Sequence, residues 1–327
     1  VSGCTFIVKP AELTPSSAIH LFKLIEEAGT PAGVANLILG KGSVIGDALT
    51  SDPRVDLVSF TGSLGVGQRI MSLASKTIKK VALELGGKNP NIIFADANLD
   101  AAIDNAVTAG FLHSGQVCSA GTRLIVEKSI HDQVVNEIVR RAKAIKLGGP
   151  ESTDAETGPL ISESHLKKVE EYVAKGIAEG AKLLVGGSRL TDGDFAKGNF
   201  FPPTLLDDCN TKMSCVQDES FGPIITVETF ENEDEAIQLA NDTIYGLSGA
   251  VWSGDTEKAR RVSRALRHGT VWVNDYGPYK PEAEWGGFKA SGIGRELGEH
   301  GLQEFLESKH IWTNNKPGRS GWFKDPR

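Results

Sequence analysis

The sequence predicts an α/β fold, a doubly wound parallel sheet followed by a second α/β domain. Three observations lead there. Short, continuously apolar runs recur along the chain, stretches with helical periodicity separate them, and polar or glycine-bearing turns close several runs at their carboxyl ends. Runs that are apolar throughout, not alternating, mark strands covered on both faces.

In chain order, residues 5–8 read as a strand, 17–28 as a helix, 34–39 as a second strand, 44–49 as helix-like and 55–60 as a third strand. A helix over about 66–75 then leads into a strand at 80–85. Beyond Gly86-Gly87 the alternation resumes in different proportions, with strands at 91–94 and 123–126 and helices at 99–112, 130–145 and 163–179. A second α/β domain is expected from about residue 88. Residues 150–161 and 186–201, rich in Gly, Asp and Ser, read as surface loops, and the chain ends in a polar tail after Asn314. The run from Val1 looks like a strand already under way, so the expectation is a chain lacking its N-terminal part.

At 327 residues and 40% hydrophobic, the chain can hold two cored domains. Its net charge of −7 gives no basic face for nucleic acid, and no run approaches the length needed to span a membrane. Four cysteines without a CxxC pair do not make a disulfide framework and fit a reducing, cytoplasmic setting. The histidines show no HxxxH or HExxH spacing, so no metal site is expected.

Ligands of α/β sheets collect beyond the carboxyl ends of strands. Lys9 and Glu12 follow the first strand and a turn-fixing proline, where they could reach sugar hydroxyls; a solvated charge pair fits them as well. Gly62-Ser63-Leu-Gly-Val-Gly67 runs from strand to helix, where free N–H groups suit a phosphate. Its GxxGxG order is not the dinucleotide GxGxxG, and a plain glycine-rich turn is an equal reading. Glu84 closes the run Val81-Ala-Leu-Glu-Leu85, where burial would raise its pKa toward the general-base range, unless it simply points to water. Cys118 lies in His113-Ser-Gly-Gln-Val-Cys-Ser-Ala-Gly-Thr122, whose small residues leave room for a substrate and for oxyanion-holding N–H groups. A buried packing cysteine is the competing reading, and His113 lies off its helical face. Asp218-Glu-Ser-Phe-Gly-Pro223 is by itself a loop; Trp252, Trp272, Tyr276, Tyr279 and Trp285 are core candidates whose faces could also hold a cation.

Taken together, Lys9-Pro-Ala-Glu12, Phe60-Thr-Gly-Ser63, Leu83-Glu-Leu-Gly-Gly-Lys88, Gly115-Gln-Val-Cys118, Glu219-Ser-Phe-Gly-Pro223 and Gly286-Gly-Phe-Lys-Ala-Ser-Gly292 occur in the order and rough spacing of the NAD(P)-dependent aldehyde dehydrogenases. The chain resembles about the last two-thirds of a typical member. The resemblance implies that Cys118 attacks the aldehyde carbon, giving a thiohemiacetal and then a thioester, and that Glu84 activates the hydrolytic water. It implies contacts to NAD from Lys9 and Glu12 at the adenosine ribose, from Gly62 and Ser63 at the pyrophosphate, and from Glu219 and Phe221 at the nicotinamide ribose and ring. Glu12 there disfavours a 2'-phosphate, hence NAD over NADP. The domains implied are a partial NAD-binding domain (1–87), a catalytic domain (88–293), and a return segment with oligomerisation strand and tail (294–327), with residues 308–313 as that strand in a homo-oligomer. The family's oxyanion hole also uses a side-chain Asn from the N-terminal segment; losing one such donor costs roughly 2.7 to 4 kcal/mol.

The stretch from Glu282 to Gly298 is most similar to the betaine aldehyde branch of the family, in which a Trp at the position of Trp285 helps box a trimethylammonium group. Leu112 departs from the aromatic residue that plant members carry six positions before the nucleophile. Open alternatives are another small or medium aldehyde, a catalytically impaired truncated chain, and a cysteine hydrolase using Cys118 and Glu84 without cofactor.

Overall fold

The computed structural model describes residues 2–323; Val1 and the end of the tail, residues 324–327, lie outside the described residues. The elements in order are β1 (Phe6–Val8), α1 (Ser16–Glu27), β2 (Ala35–Leu37), α2 (Gly42–Ser51), β3 (Leu57–Thr61), α3 (Leu64–Ala74), β4 (Lys80–Glu84), β5 (Pro90–Ile93), α4 (Leu99–Phe111), β6 (Arg123–Glu127) and α5 (His131–Ala144). There follow α6 (Glu163–Ala178), β7 (Lys182–Val185), β8 (Thr204–Asp207), α7 (Ser214–Gln217), β9 (Ile224–Phe230), α8 (Glu233–Asn241), β10 (Ser248–Trp252), α9 (Thr256–Ala265), β11 (Thr270–Val273), β12 (Gly292–Ile293) and α10 (Gly298–Gln303).

The main sheet has seven strands in the order β11-β10-β5-β6-β9-β8-β7, parallel throughout except for β7 against β8. Successive side chains of a strand point to opposite faces. Ile93, Leu124 and Val126 accordingly join α4 and α5 in one core. Ile92, Phe94 and Ile125 join α8 and α9 in the other. Both faces are buried, which explains the uninterrupted apolar runs. Asn98, Ser162, Asn232 and Asp255 accept backbone N–H bonds at the starts of α4, α6, α8 and α9, and so fix where those helices begin.

Residues ahead of this sheet form two separate ladders: β1 with β2, and β3 with β4, to which β12 adds antiparallel. Among the described residues β1 and β3 are not paired with each other. The strands are nevertheless parallel and linked by helices, as expected. Leu21 and Leu24 of α1 are exposed, and so are Phe6 and Ile7 of β1.

One expectation is corrected. Residues 186–201 are not wholly a surface loop, because Phe200 and Phe201 are buried and Phe201 packs into the core beneath α6 and β8. Residues 308–313, expected as an oligomerisation strand, are exposed and pair with no strand among the described residues of this one chain; in a homo-oligomer the partner strand would belong to another copy.

The largest fully buried side chain is Arg123. It clamps Glu228 on neighbouring β9 through Nε to Oε2 at 2.7 Å and Nη2 to Oε1 at 3.0 Å, and Nη2 also reaches the Leu239 carbonyl at 2.9 Å. Removing one partner strands a charge in the interior. Arg123→Met should therefore lower unfolding stability by about 3–5 kcal/mol in urea titration, while Arg123→Met with Glu228→Leu should recover most of that loss.

Candidate active site

Helix α4 stops at Phe111 because the next residues turn left-handed: His113 (φ 53°, ψ 31°), Ser114 (φ 57°, ψ 35°) and Gly115 (φ 67°). Gly115 has no substitute here, since a Cβ would lie 2.1 Å from the Gly222 carbonyl oxygen. The Thr157 hydroxyl accepts from the Ser114 N–H at 3.0 Å, and Gln116 Oε1 accepts from the Ile161 N–H at 2.9 Å, so the turn is fixed from the opposite side. It delivers Cys118, partly buried, to the region beside Gly87.

The Cys118 thiol is pushed up from its ordinary pKa by burial first, then by the Glu219 and Glu84 carboxylates. The backbone N–H groups of Ser119 and of Cys118 itself oppose this by favouring the thiolate. The Cys118 carbonyl is held by Asn89 Nδ2 at 2.9 Å.

Glu84 ends β4 and is only 5% exposed, so it does not point to water. Its pKa is raised to about 7, by burial first and by Glu296 second, against the nearby Arg295 and the Trp285 side chain. Among the described residues, Oε2 has no hydrogen-bond partner and is free to take a proton. Glu219 lies over the Gly86-Gly87 turn: Oε1 accepts from the Gly87 N–H at 3.2 Å, and a Cβ on Gly86 would sit 2.1 Å from Oε2. Burial raises the Glu219 pKa, opposed by that N–H and by the charge of Lys88. Phe221, at φ 49° and exposed, has its carbonyl hydrogen-bonded to His165 Nε2 at 2.7 Å.

The nucleotide-site candidates lie at the carboxyl ends of β1 and β3. Lys9 Nζ donates to the Pro10 and Gly40 carbonyls at 2.7 and 3.2 Å, and Glu12 Oε2 accepts from Gly42 N–H at 3.1 Å, where α2 begins. They meet at the start of α2 without pairing to each other. Ser63 is the residue before α3 and makes no cap bond with its side chain, leaving the hydroxyl and the helix's first N–H groups open to an anion. The Gly62 N–H donates to the Glu84 carbonyl at 3.0 Å and ties this turn to the backbone of the buried carboxylate.

The aromatic residues divide. Trp252 is core, its Nε1 donating to Asn91 Oδ1 at 2.9 Å. Trp285 packs on Tyr279 with ring centroids 4.7 Å apart, and Trp272 on Tyr276 at 4.8 Å. The Tyr279 hydroxyl meets the Ser119 hydroxyl, and the Tyr276 hydroxyl donates to the Ser119 carbonyl at 2.7 Å. The cluster thus borders the residue following Cys118. Sequence reasoning nominated Trp285 but missed this placement of the two tyrosines; it also missed Asn89 altogether, whose one signal was a polar residue opening an apolar strand. Among the described residues no group of three or more His, Cys, Asp or Glu could hold a metal ion. Likewise no helix there is long and apolar enough to cross a membrane.

Residues 1–311 match the aldehyde dehydrogenase family. The betaine aldehyde dehydrogenase of Bacillus subtilis is 56% identical over 98% of this chain, and a chloroplastic aminoaldehyde dehydrogenase of Arabidopsis thaliana is 42% identical over 99%. A crystal structure of betaine aldehyde dehydrogenase from Staphylococcus aureus, in complex with NAD+, superposes with a TM-score of 0.97 at 52% identity over 99% of this chain. The chain spans 66%, 64% and 64% of the lengths of these three proteins. With the match running through the residues that form the site, the chain belongs to the aldehyde dehydrogenase family.

Proposed function

We propose that this chain carries the cofactor-binding and nucleophile portions of an NAD-dependent aldehyde dehydrogenase acting on betaine aldehyde. One observation carries the reading: Cys118, the buried Glu84 and Glu219 on the Gly86-Gly87 turn come from three distant segments and act electrostatically on one thiol. The residues present also fit a dinucleotide. A vacant hydroxyl and open helix start at Ser63 suit the pyrophosphate, and Lys9 with Glu12 at the start of α2 suits a ribose.

In this reading the Cys118 sulfur adds to the aldehyde carbon, and the Cys118 and Ser119 N–H groups lie beside it as donors. NAD bound there would supply the hydride acceptor and, in its cationic ring, the positive charge that the thiol lacks. The resulting thioester is opened by water whose proton passes to Glu84. Glu219 and Phe221 place the nicotinamide end, with residues 1–87 as the cofactor portion, 88–293 as the catalytic portion and 294–327 as the return segment and tail.

The substrate assignment rests on the four-aromatic cluster beside Ser119, whose faces suit a quaternary ammonium. The B. subtilis relative of that name supports it. Exposed Phe305, Leu306, Ile311 and Trp312 support assembly with further copies, and four free cysteines support a reducing, cytoplasmic setting.

Cys118→Ala should abolish NADH formation from betaine aldehyde, measured at 340 nm; undiminished turnover would sink the assignment. For Glu84 the base is the ionised form, so with the pKa raised to about 7 turnover should fall as pH drops through that value. Glu84→Gln should remove this limb of the kcat profile and lower kcat about 10²- to 10⁴-fold. Trp285→Ala should raise KM for betaine aldehyde about tenfold while changing KM for the neutral isostere 3,3-dimethylbutanal far less; equal changes in both would exclude the cation site.

A further inference from the structure

Lys88 is fully buried, and its ammonium is directed to Tyr172 rather than to Cys118 or Glu84. Its Nζ donates to the Tyr172 hydroxyl at 2.9 Å and lies 5.5 Å from the centroid of that ring. Because the tyrosine oxygen accepts from lysine, its own proton must point elsewhere. It is directed to the carbonyls of Cys215 and of Asp218, the latter at 3.2 Å. Those carbonyls bracket the end of α7, and Glu219 is the next residue. The Glu219 carboxylate in turn accepts from the N–H of Gly87, the residue before Lys88. The contacts close a ring: Gly87, Lys88, Tyr172, Asp218, Glu219 and back to Gly87.

We propose that Lys88 and Tyr172 are positioning residues which fix the Glu219 carboxylate, and through it the nicotinamide end of the cofactor, without touching either. Lys88 sets the direction of the tyrosine hydroxyl, Tyr172 holds the α7 terminus, and Gly86 leaves the space into which the carboxylate projects. A buried ammonium with one tyrosine partner is an expensive way merely to fill a core that Met would fill. Lys88 also places positive charge near Glu219, favouring the ionised carboxylate that accepts ribose hydroxyls.

The inference rests on reading Glu219 as a cofactor ligand, and the test separates the two. NAD dissociation constants and the KM values for NAD and aldehyde are measured on the purified protein, on Tyr172→Phe and on Lys88→Met. Melting temperature and the rate of Cys118 alkylation by iodoacetamide without cofactor are the controls. Both variants should weaken NAD binding and raise its KM about tenfold, leaving aldehyde KM and alkylation rate within about twofold. NAD affinity within about twofold of the parent in either folded variant overturns the proposal. So does a loss spread equally over aldehyde KM and alkylation, which would mark a general packing role. If one variant fails to fold, the other decides. Failure of the parent protein to bind NAD would instead remove the functional reading, and this inference with it.

Discussion

The carboxamide of Asn89 is the constraint on which the rest of the site depends. It is 1% exposed, and its Nδ2 donates to the carbonyls of Cys118 and Ala120, both at 2.9 Å. Its Oδ1 accepts from the Ser248 N–H at 3.0 Å, at the start of β10. Its own backbone carbonyl accepts from Arg123 N–H at 3.2 Å, at the start of β6. One side chain therefore joins β5, β10 and the Cys118 loop, with both of its donors and its acceptor oxygen engaged. Of the short side chains only Asn offers two donors and an acceptor in a plane. Because Asn89 follows the Glu84-Leu-Gly-Gly-Lys segment directly, the strand that ends in Glu84 is fixed to the loop that carries Cys118. The bare Gly87 makes the approach possible, since a Cβ there would lie 2.6 Å from the Cys118 oxygen.

Electrostatics follow from that geometry. Glu84, Glu219 and Cys118 are all displaced toward their neutral forms, with burial the first cause in each case. The Glu219 and Glu84 carboxylates add to the effect of burial at the thiol. Two carboxylates acting on one thiol make its surroundings receptive to a cation. On the proposed reading two cations enter, the nicotinamide ring on the Glu219 side and the trimethylammonium group among the aromatic rings, and each would favour the thiolate. Nucleophile activation would then depend on occupancy, with the thiol resting protonated and inert between turnovers.

The α/β alternation was legible because burial on both faces writes itself into local sequence as apolar runs. Local sequence left Cys118 open between a nucleophile and a packing cysteine, and it left Glu84 undecided, because whether a strand-end carboxylate faces inward depends on Gly286 and Glu296, roughly two hundred residues away. The same limit hid Asn89, whose partners lie 29, 31 and 159 residues off, and the tyrosines, which reach Ser119 across 157 and 160 residues. Composition misled at residues 186–201, where polar spacing concealed two buried phenylalanines, Phe200 and Phe201, the second of them in the α6 core.

The break in the chain before Cys118 shows why such a site needs contacts beyond its own segment. Continued as helix, the residues after Phe111 would carry the cysteine around a cylinder, with its N–H groups consumed by intrahelical bonds. The left-handed turn at His113 and Ser114 frees those groups, but for non-glycine residues it costs of order 1 kcal/mol each or more. That cost is offset only where the surroundings over-determine the turn. Here Thr157, Gly158 and Ile161 bind its polar atoms, while the Gly222 carbonyl closes the space that any side chain at position 115 would need. Gly222 sits one residue beyond Phe221 and three beyond Glu219. The turn that aims Cys118 and the segment that carries Glu219 are therefore packed against one another, and neither can shift without displacing the other.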